Sequence, residues 1–105
     1  MTTVIFQQQG DLLLGFKVKD HSGYAEEGED IVCSAISSAT IMTANTITEI
    51  LNIKANVTVG DGILELELPQ NEAEKADAVM QGFLLHMNAL KEQYSKYIKL
   101  NFSEV

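Results

Sequence analysis

The feature that most constrains the fold is a short alternating segment that follows a glycine-rich turn. In residues 63–68, the leucines at positions 64, 66 and 68 alternate with Ile63, Glu65 and Glu67. The Gly60-Asp61-Gly62 sequence precedes this segment, and residues 54–59 lie before the turn. A period of two around such a turn predicts a β-hairpin with one buried and one solvated face.

The N-terminal residues predict a second pair of strands and then a loop. Residues 2–8 and 12–18 are rich in β-forming side chains, and Gly10-Asp11 between them is a turn signal. Residues 20–29 contain hardly any apolar side chain. We expect a loop of about ten residues there, a length at which loops are often functional.

Two longer segments show helical periodicity. The first is predicted to run from an N-cap at Asp30 to about residue 52. The second covers residues 72–98 and follows a capping-box pattern formed by Asn71 and Glu74. The resulting order, β-β-α-β-β-α, predicts an α+β layered sandwich. A length of 105 residues fits a single domain over residues 1–105.

Charge and hydropathy exclude several classes of function. The net charge of −8 argues against direct binding to nucleic acid, whose phosphates require a basic surface, and it permits a basic partner. No apolar run approaches the ~20 residues of a membrane span. Residues 1–9 lack the basic flank and apolar centre of a signal peptide. We therefore expect a cytoplasmic protein without a membrane partner.

Cys33 is the single cysteine, so an internal disulfide is excluded, and two histidines add too few ligands for a structural zinc site. We expect neither a metal nor a cofactor. Three residues after the predicted N-cap, the thiol would lie at the positive end of the helix dipole, which favours the thiolate nucleophile. The backbone N–H groups there would be oxyanion donors. A small core residue is the commoner role of a free cysteine.

His21, twelve residues before Cys33, is the candidate general base. A Cys–His pair needs the imidazole within hydrogen-bond reach of the sulfur, and a solvated loop histidine is the alternative. Four carboxylates at positions 26, 27, 29 and 30 would disfavour a thiolate but would suit a Lys/Arg-rich peptide. An ordinary solvated loop is equally consistent with them. His86 lies at the edge of the second helix's apolar stripe and is not a site candidate.

The segment from His21 to Ser37, HSGYAEEGEDIVCSAIS, resembles the Prp family, the ribosomal-processing cysteine proteases of bacteria. The family pattern is Gly-His-Ala, a loop with a glycine, Asp-Ile/Val-Val-Cys, and a serine four residues after the cysteine. The resemblance spans nearly the whole chain. It implies that Cys33 is the nucleophile and His21 the general base. It also implies that Asp30 and Ser37 shape the site or contact the substrate.

The resemblance implies a substrate and an assembly as well. Family members remove the N-terminal extension of large-subunit ribosomal protein twenty-seven, a basic peptide, and they form homodimers. A loop matching residues 22–29, which includes Gly23, would close over the peptide. Met42 and Met80 are the exposed candidates for a dimer surface.

Two positions depart from the family pattern, and they leave other functions open. Asp20 and Ser22 replace the glycine and alanine that flank the family's histidine. Asp20 could orient His21, as a carboxylate orients the imidazole of a triad, or the loop could be slack. The alternative function is a non-catalytic acidic module that binds a basic ribosomal or ribosome-assembly protein. A thiol redox sensor is a weaker option, since it would need an external resolving cysteine.

Overall fold

The computed structural model describes residues 1–20 and 29–105. In these ranges a five-stranded sheet carries two helices, which confirms the α+β class. The strands are β1 (Thr2–Gln9), β2 (Leu12–Asp20), β3 (Asn56–Gly60), β4 (Ile63–Glu67) and β5 (Ile98–Glu104). The helices are α1 (Glu29–Asn45) and α2 (Asp77–Gln93).

The sheet order is β3-β4-β2-β1-β5, and both predicted hairpins are present. Gly10 between β1 and β2 and Gly62 between β3 and β4 have φ values of 60° and 69°. Residues other than glycine rarely adopt such angles, which explains the glycines in both turns. Gly15, within β2, is required for a different reason: a Cβ there would clash with the Leu66 carbonyl oxygen on the paired strand β4.

The first predicted helix has the expected extent, because α1 continues into a π-helical segment, Thr46–Ile50. Threonine hydroxyls along it donate to backbone carbonyl oxygens four residues earlier, as Thr40 does to Ile36 at 2.6 Å. These bonds satisfy hydroxyls that would otherwise be buried without partners. Thr40 and Thr43 are both buried.

The predicted start of the second helix is wrong. Residues Gln70–Ala76 form a 3₁₀ segment after Pro69, and α2 begins only at Asp77. Asn71 and Glu74 therefore lie inside the 3₁₀ segment, and no side chain caps it. The proline, whose φ is −60°, starts the turn in place of a capping box.

The predicted end of the second helix is also wrong, because the chain leaves α2 at Gln93 and forms β5. This strand pairs with β1 in parallel, with Thr2 opposite Ile98. The pattern behind it has a period of two: Ile98 is buried and Leu100 is packed against the core, while Lys99 between them is exposed. The observed element order is thus β-β-α-β-β-α-β.

The core lies between the sheet and the two helices and contains Phe6, Phe16 and Phe83, whereas Phe102 on β5 is 48% exposed. Phe6 is fully buried, and its ring centroid lies 5.5 Å from that of Phe83 on α2 and 6.0 Å from that of Phe102 on β5. Phe16 lies 4.7 Å from Phe83. The two pairs with Phe83 are tilted and the Phe6–Phe102 pair is stacked, both of which are favourable arrangements that join α2 to the strands.

The helical segment Asp30–Ile50, which covers nearly all of α1 and the π-helical segment after it, is by length and composition alone long and apolar enough to cross a membrane. Its Val32, Ile36 and Ile47 side chains are completely or almost completely buried in the core. Burial in the core accounts for these three side chains, as in any helix that packs on a sheet, but only a third of the segment is buried and other apolar side chains in it are exposed.

Candidate active site

Three elements meet at one rim of the sheet: the start of β1, the end of β2 and the first turns of α1. Thr2 is directly opposite Asp20 in the β1–β2 pairing. The Thr2 N–H donates to the Tyr97 carbonyl oxygen at 2.9 Å, and the Asp20 N–H donates to the Gly62 carbonyl oxygen at 2.8 Å. Both backbones are therefore held on two sides, which places their side chains firmly at the rim.

The Cys33 thiol lies between these two side chains. Its Sγ is 3.6 Å from the Asp20 Oδ1 and 3.7 Å from the Thr2 Oγ1. Because a carboxylate can only accept, the single thiol hydrogen is donated to Asp20, and the Thr2 hydroxyl is then the donor in its own contact with the sulfur. Cys33 is half-buried, Asp20 is exposed and Thr2 is 2% exposed. The sulfur thus lies at the boundary between core and solvent.

The predicted helix start needs correction. Helix α1 begins at Glu29, so Asp30 lies within its first turn and is not the N-cap. Cys33 is the fifth helical residue, counting from Glu29. Its own N–H therefore falls beyond the first four N–H groups that lack an intrahelical acceptor. The prediction that Cys33 lies among unpaired donors is wrong, because the helix begins two residues earlier than predicted.

Asp20 contacts the nucleophile candidate itself. The sequence suggested that this carboxylate orients His21 or marks a slack loop, but the contact within the described residues joins it to Cys33. Its backbone is held by the hairpin turn, because the Asp20 N–H donates to the Gly62 carbonyl oxygen, and the approach is so close that a Cβ on Gly62 would lie 3.0 Å from the Asp20 carbonyl oxygen. The β3–β4 turn therefore packs directly against the end of β2.

Thr2 is the site residue that sequence reasoning missed. It lies 31 residues from Cys33 in the chain, and it resembles any other polar residue at a strand start. The available signal was its β register: a residue opposite Asp20 had to reach the same rim. Without the position of α1 over that rim, this signal could not point to the sulfur.

A groove of about 230 Å³ lies beside the site, between α1 and the β2–β4 part of the sheet. Ser37, which is exposed and one turn after Cys33, lines it together with Asp20 and Ile41. Gly60 and Gly62 of the hairpin form the opposite wall. The groove therefore begins next to the carboxylate that contacts the sulfur, and a peptide side chain could enter it.

Several predicted site residues lie outside the described ranges. These are His21, Gly23 and the acidic residues at positions 26 and 27. The predicted Cys33–His21 pair therefore stays a prediction. Of the other site candidates, Asp30 is exposed in the first turn of α1, and Ser37 lines the groove. No group of three or more metal-ligating side chains occurs among residues 1–20 and 29–105.

A larger cavity, of about 630 Å³, separates α1 from α2. Small residues such as Ala35, Ala39 and Gly82 make room for it, and Met42 and Phe83 line it. His86 is exposed and borders the same cavity. It lies on α2, outside the set of residues that surround the thiol.

Comparisons with known proteins agree with this geometry. The family model Peptidase_Prp, described as cysteine protease Prp, matches residues 1–99. The ribosomal processing cysteine protease Prp of Bacillus subtilis is 21% identical over 94 residues, covering 84% of each chain. The protein of the same name from Staphylococcus aureus is 24% identical over 84 residues, covering 78% of this chain and 79% of that one.

Solved structures share the fold. A crystal structure of the S. aureus protease Prp in complex with a substrate peptide matches with a TM-score of 0.89 at 21% identity, covering 98% of this chain and 100% of that one. A Streptococcus mutans protein matches with a TM-score of 0.87 at 22% identity, covering 100% and 96%. Because the family model matches 99 of 105 residues, including the β1–β2 rim and Cys33, the chain belongs to the Prp family of cysteine proteases.

Proposed function

We propose that this protein is a cytoplasmic Cys–His endopeptidase that removes the N-terminal extension of a basic large-subunit ribosomal protein, number twenty-seven, during ribosome maturation. The observation that carries the proposal is the position of the single cysteine: it lies half-exposed at a sheet rim, beside a groove, in a chain of the Prp family. Relatives in that family are named ribosomal processing proteases, and one was crystallised with a substrate peptide.

In the proposed reaction, His21 removes the thiol proton and the Cys33 sulfur attacks the scissile carbonyl carbon. The carbon–sulfur bond forms while the carbonyl electron pair moves to oxygen, and backbone N–H groups at the start of α1 stabilise that negative charge. Collapse breaks the peptide bond, and the imidazolium protonates the departing amine. Water, activated by the neutral His21, then hydrolyses the thioester and restores the thiol.

Charge supports a basic substrate. Asp20 lines the groove, Asp61 lies between the two glycines of its opposite wall, and Asp30 is exposed one turn before Cys33. The whole chain carries −8. Such a field attracts a lysine- or arginine-rich peptide and accelerates its encounter with the site.

The test uses a peptide that spans the extension and the first residues of the mature ribosomal protein. We expect mass spectrometry to detect two fragments with wild type and none with Cys33→Ala or His21→Ala. Asp11→Asn, in the turn that precedes β2, should cut at the wild-type rate and serves as control. An intact peptide with wild type, or fragments with Cys33→Ala, would contradict the proposal. Salt-sensitive binding without any product would favour the acidic binding module.

We also propose a homodimer that uses the outward side of α1. On this side, Ile41 and Met42 of α1 are 52% and 69% exposed, and Ile50 of the π-helical segment that follows is 73% exposed. Met42 also borders the larger cavity. The proposal takes these side chains as one patch, because contiguous apolar patches mark interaction surfaces whereas single exposed side chains do not. The prediction that Met80 is an exposed candidate for the dimer surface is wrong, because its side chain is fully buried in the core.

A further inference from the structure

We propose that Asp20 and Thr2 act in opposite directions on Cys33: Asp20 holds its sulfur in the thiol form, and Thr2 stabilises and orients the thiolate. The inference rests on the proposed function, because opposite effects on the ionisation of Cys33 matter to the protein only if Cys33 is the nucleophile. Neither residue is assigned a role by the family pattern, in which a glycine precedes the histidine. Both are positioning residues, since they act through the sulfur.

The two contacts differ in what they can do as the sulfur ionises. The Asp20 carboxylate, 3.6 Å away, accepts from the S–H and has nothing to donate. Once the proton leaves, two negative charges face each other across that distance, which disfavours the thiolate. Asp20 is thus expected to slow the formation of the nucleophile.

The Thr2 hydroxyl, 3.7 Å from the sulfur, can donate to it in both protonation states. While the thiol donates its hydrogen to Asp20, Thr2 donates to a neutral sulfur; a thiolate can only accept, and the same bond then becomes charge-assisted and stronger. Because Thr2 is 2% exposed, water does not compete well for this donor. Thr2 is therefore expected to stabilise the thiolate and fix the direction of the sulfur.

Backbone geometry keeps both groups in place. Thr2 and Asp20 are paired residues of adjacent strands, so their side chains share one rim. The Asp20 backbone is held by the Gly62 carbonyl oxygen, and the Thr2 backbone by that of Tyr97. On β2 the neighbouring charged residue is Lys19, which precedes Asp20, and successive side chains of a strand point to opposite faces of the sheet. The described charged group nearest in sequence on α1 itself is Asp30, three residues before Cys33 and exposed. It adds to the negative potential from the solvent side.

The test measures alkylation of the single thiol by iodoacetamide between pH 5 and pH 10, about the range in which a cysteine ionises. In this reaction the thiol proton goes to buffer, an Sγ–carbon bond forms, and the carbon–iodine bond breaks as iodide leaves. The readout does not involve peptide cleavage. An inactive wild type would therefore reject the proposed function without deciding this inference.

Asp20→Asn should react roughly three- to tenfold faster than wild type near pH 7, and its profile should move to lower pH, as expected when a like charge is removed. Thr2→Val, which keeps the shape of a buried residue, should react more slowly and move the profile to higher pH. Thr2→Ser restores the hydroxyl and should return the rate towards wild type. A merely structural role for Thr2 would not predict that rescue.

Matched controls separate these effects from charge and fold. Asp11→Asn removes the same charge in the turn that precedes β2, and Thr58→Val makes the same exchange on the exposed strand β3. Both should follow the wild-type profile, and circular dichroism should give equal spectra for every variant. The proposal is overturned if the profile of Asp20→Asn or of Thr2→Val coincides with that of wild type, or if a control variant shifts it equally.

Discussion

The two helices lie on the same sheet but relate differently to solvent. Helix α2 buries its Met80, Phe83, Met87 and Leu90 side chains, and among its large apolar residues Leu85 is the exposed one, at 73%. Helix α1 also contributes to the core, yet it leaves Ile31, Ile41 and Met42 more than half exposed. Packing against the sheet therefore explains most of the large apolar side chains of α2. Helix α1 has, in addition to its core residues, exposed apolar side chains and a thiol that the core does not require.

The largest effect on stability should come from the buried side of α2. Phe83 contacts both Phe6 and Phe16, so Phe83→Ala would leave a void at the centre of the aromatic cluster. We expect the free energy of unfolding, measured by urea denaturation, to fall by about 3–5 kcal/mol. Leu85→Ala on the same helix should change it by less than about 0.5 kcal/mol. A loss for Phe83→Ala no larger than that of Leu85→Ala would contradict the described core.

The outward sides of the helices should differ in assembly. Met42→Glu places a charge on the exposed side of α1 and should weaken the proposed homodimer by at least about tenfold, or ~1.4 kcal/mol, in sedimentation equilibrium. Leu85→Glu makes an equivalent change at a similarly exposed position of α2 and should leave the association constant unaltered. If Leu85→Glu weakens the dimer and Met42→Glu does not, the dimer surface lies on α2. A monomeric wild type would reject the dimer.

The smallest effect concerns the sheet face that neither helix covers. Lys17 Nζ lies 3.1 Å from Glu65 Oε2 across β2 and β4, and this bond is the main cause that lowers the pKa of Glu65 below 4.5. A lowered folded-state pKa stabilises the fold above the unfolded value, and that contribution is lost as the pH falls through the folded value.

Lys17→Met should therefore lower the free energy of unfolding by less than about 1 kcal/mol at neutral pH, as a surface pair does. The difference from wild type should shrink in urea titrations at pH values below 4.5. A difference that stays constant across that range would show that the lysine acts through packing of its stem and not through its charge.

Strands β1 to β4 and the first helix could be predicted because their signals are local. Turn glycines at positive φ and a period of two define both hairpins without reference to the rest of the chain. Strand β5 was missed because Tyr94, Tyr97 and Ile98 continue the helical spacing of α2, and its partner β1 lies at the other end of the sequence. Long-range pairing overrides a local period of this kind.

The site was predictable only in part. The motif around Cys33 indicated the nucleophile, and Asp20, which replaces a glycine of the family pattern, was a candidate supporting residue. That Asp20 and Thr2 both contact the sulfur depends on how α1 crosses the end of β1 and β2, which no local pattern encodes. The helix start was predicted two residues too late for a similar reason, since Asp30 has the preferred chemistry of an N-cap wherever it lies.

The most direct test of the central claim uses the fact that the chain has a single cysteine. Wild type is alkylated to different extents with iodoacetamide, and mass spectrometry gives the modified fraction while the ribosomal peptide reports the remaining cleavage rate. We predict that activity falls in direct proportion to the alkylated fraction of Cys33 and reaches zero when modification is complete, and that bound peptide protects the thiol. Full cleavage by completely alkylated protein would contradict the claim that Cys33 is the nucleophile.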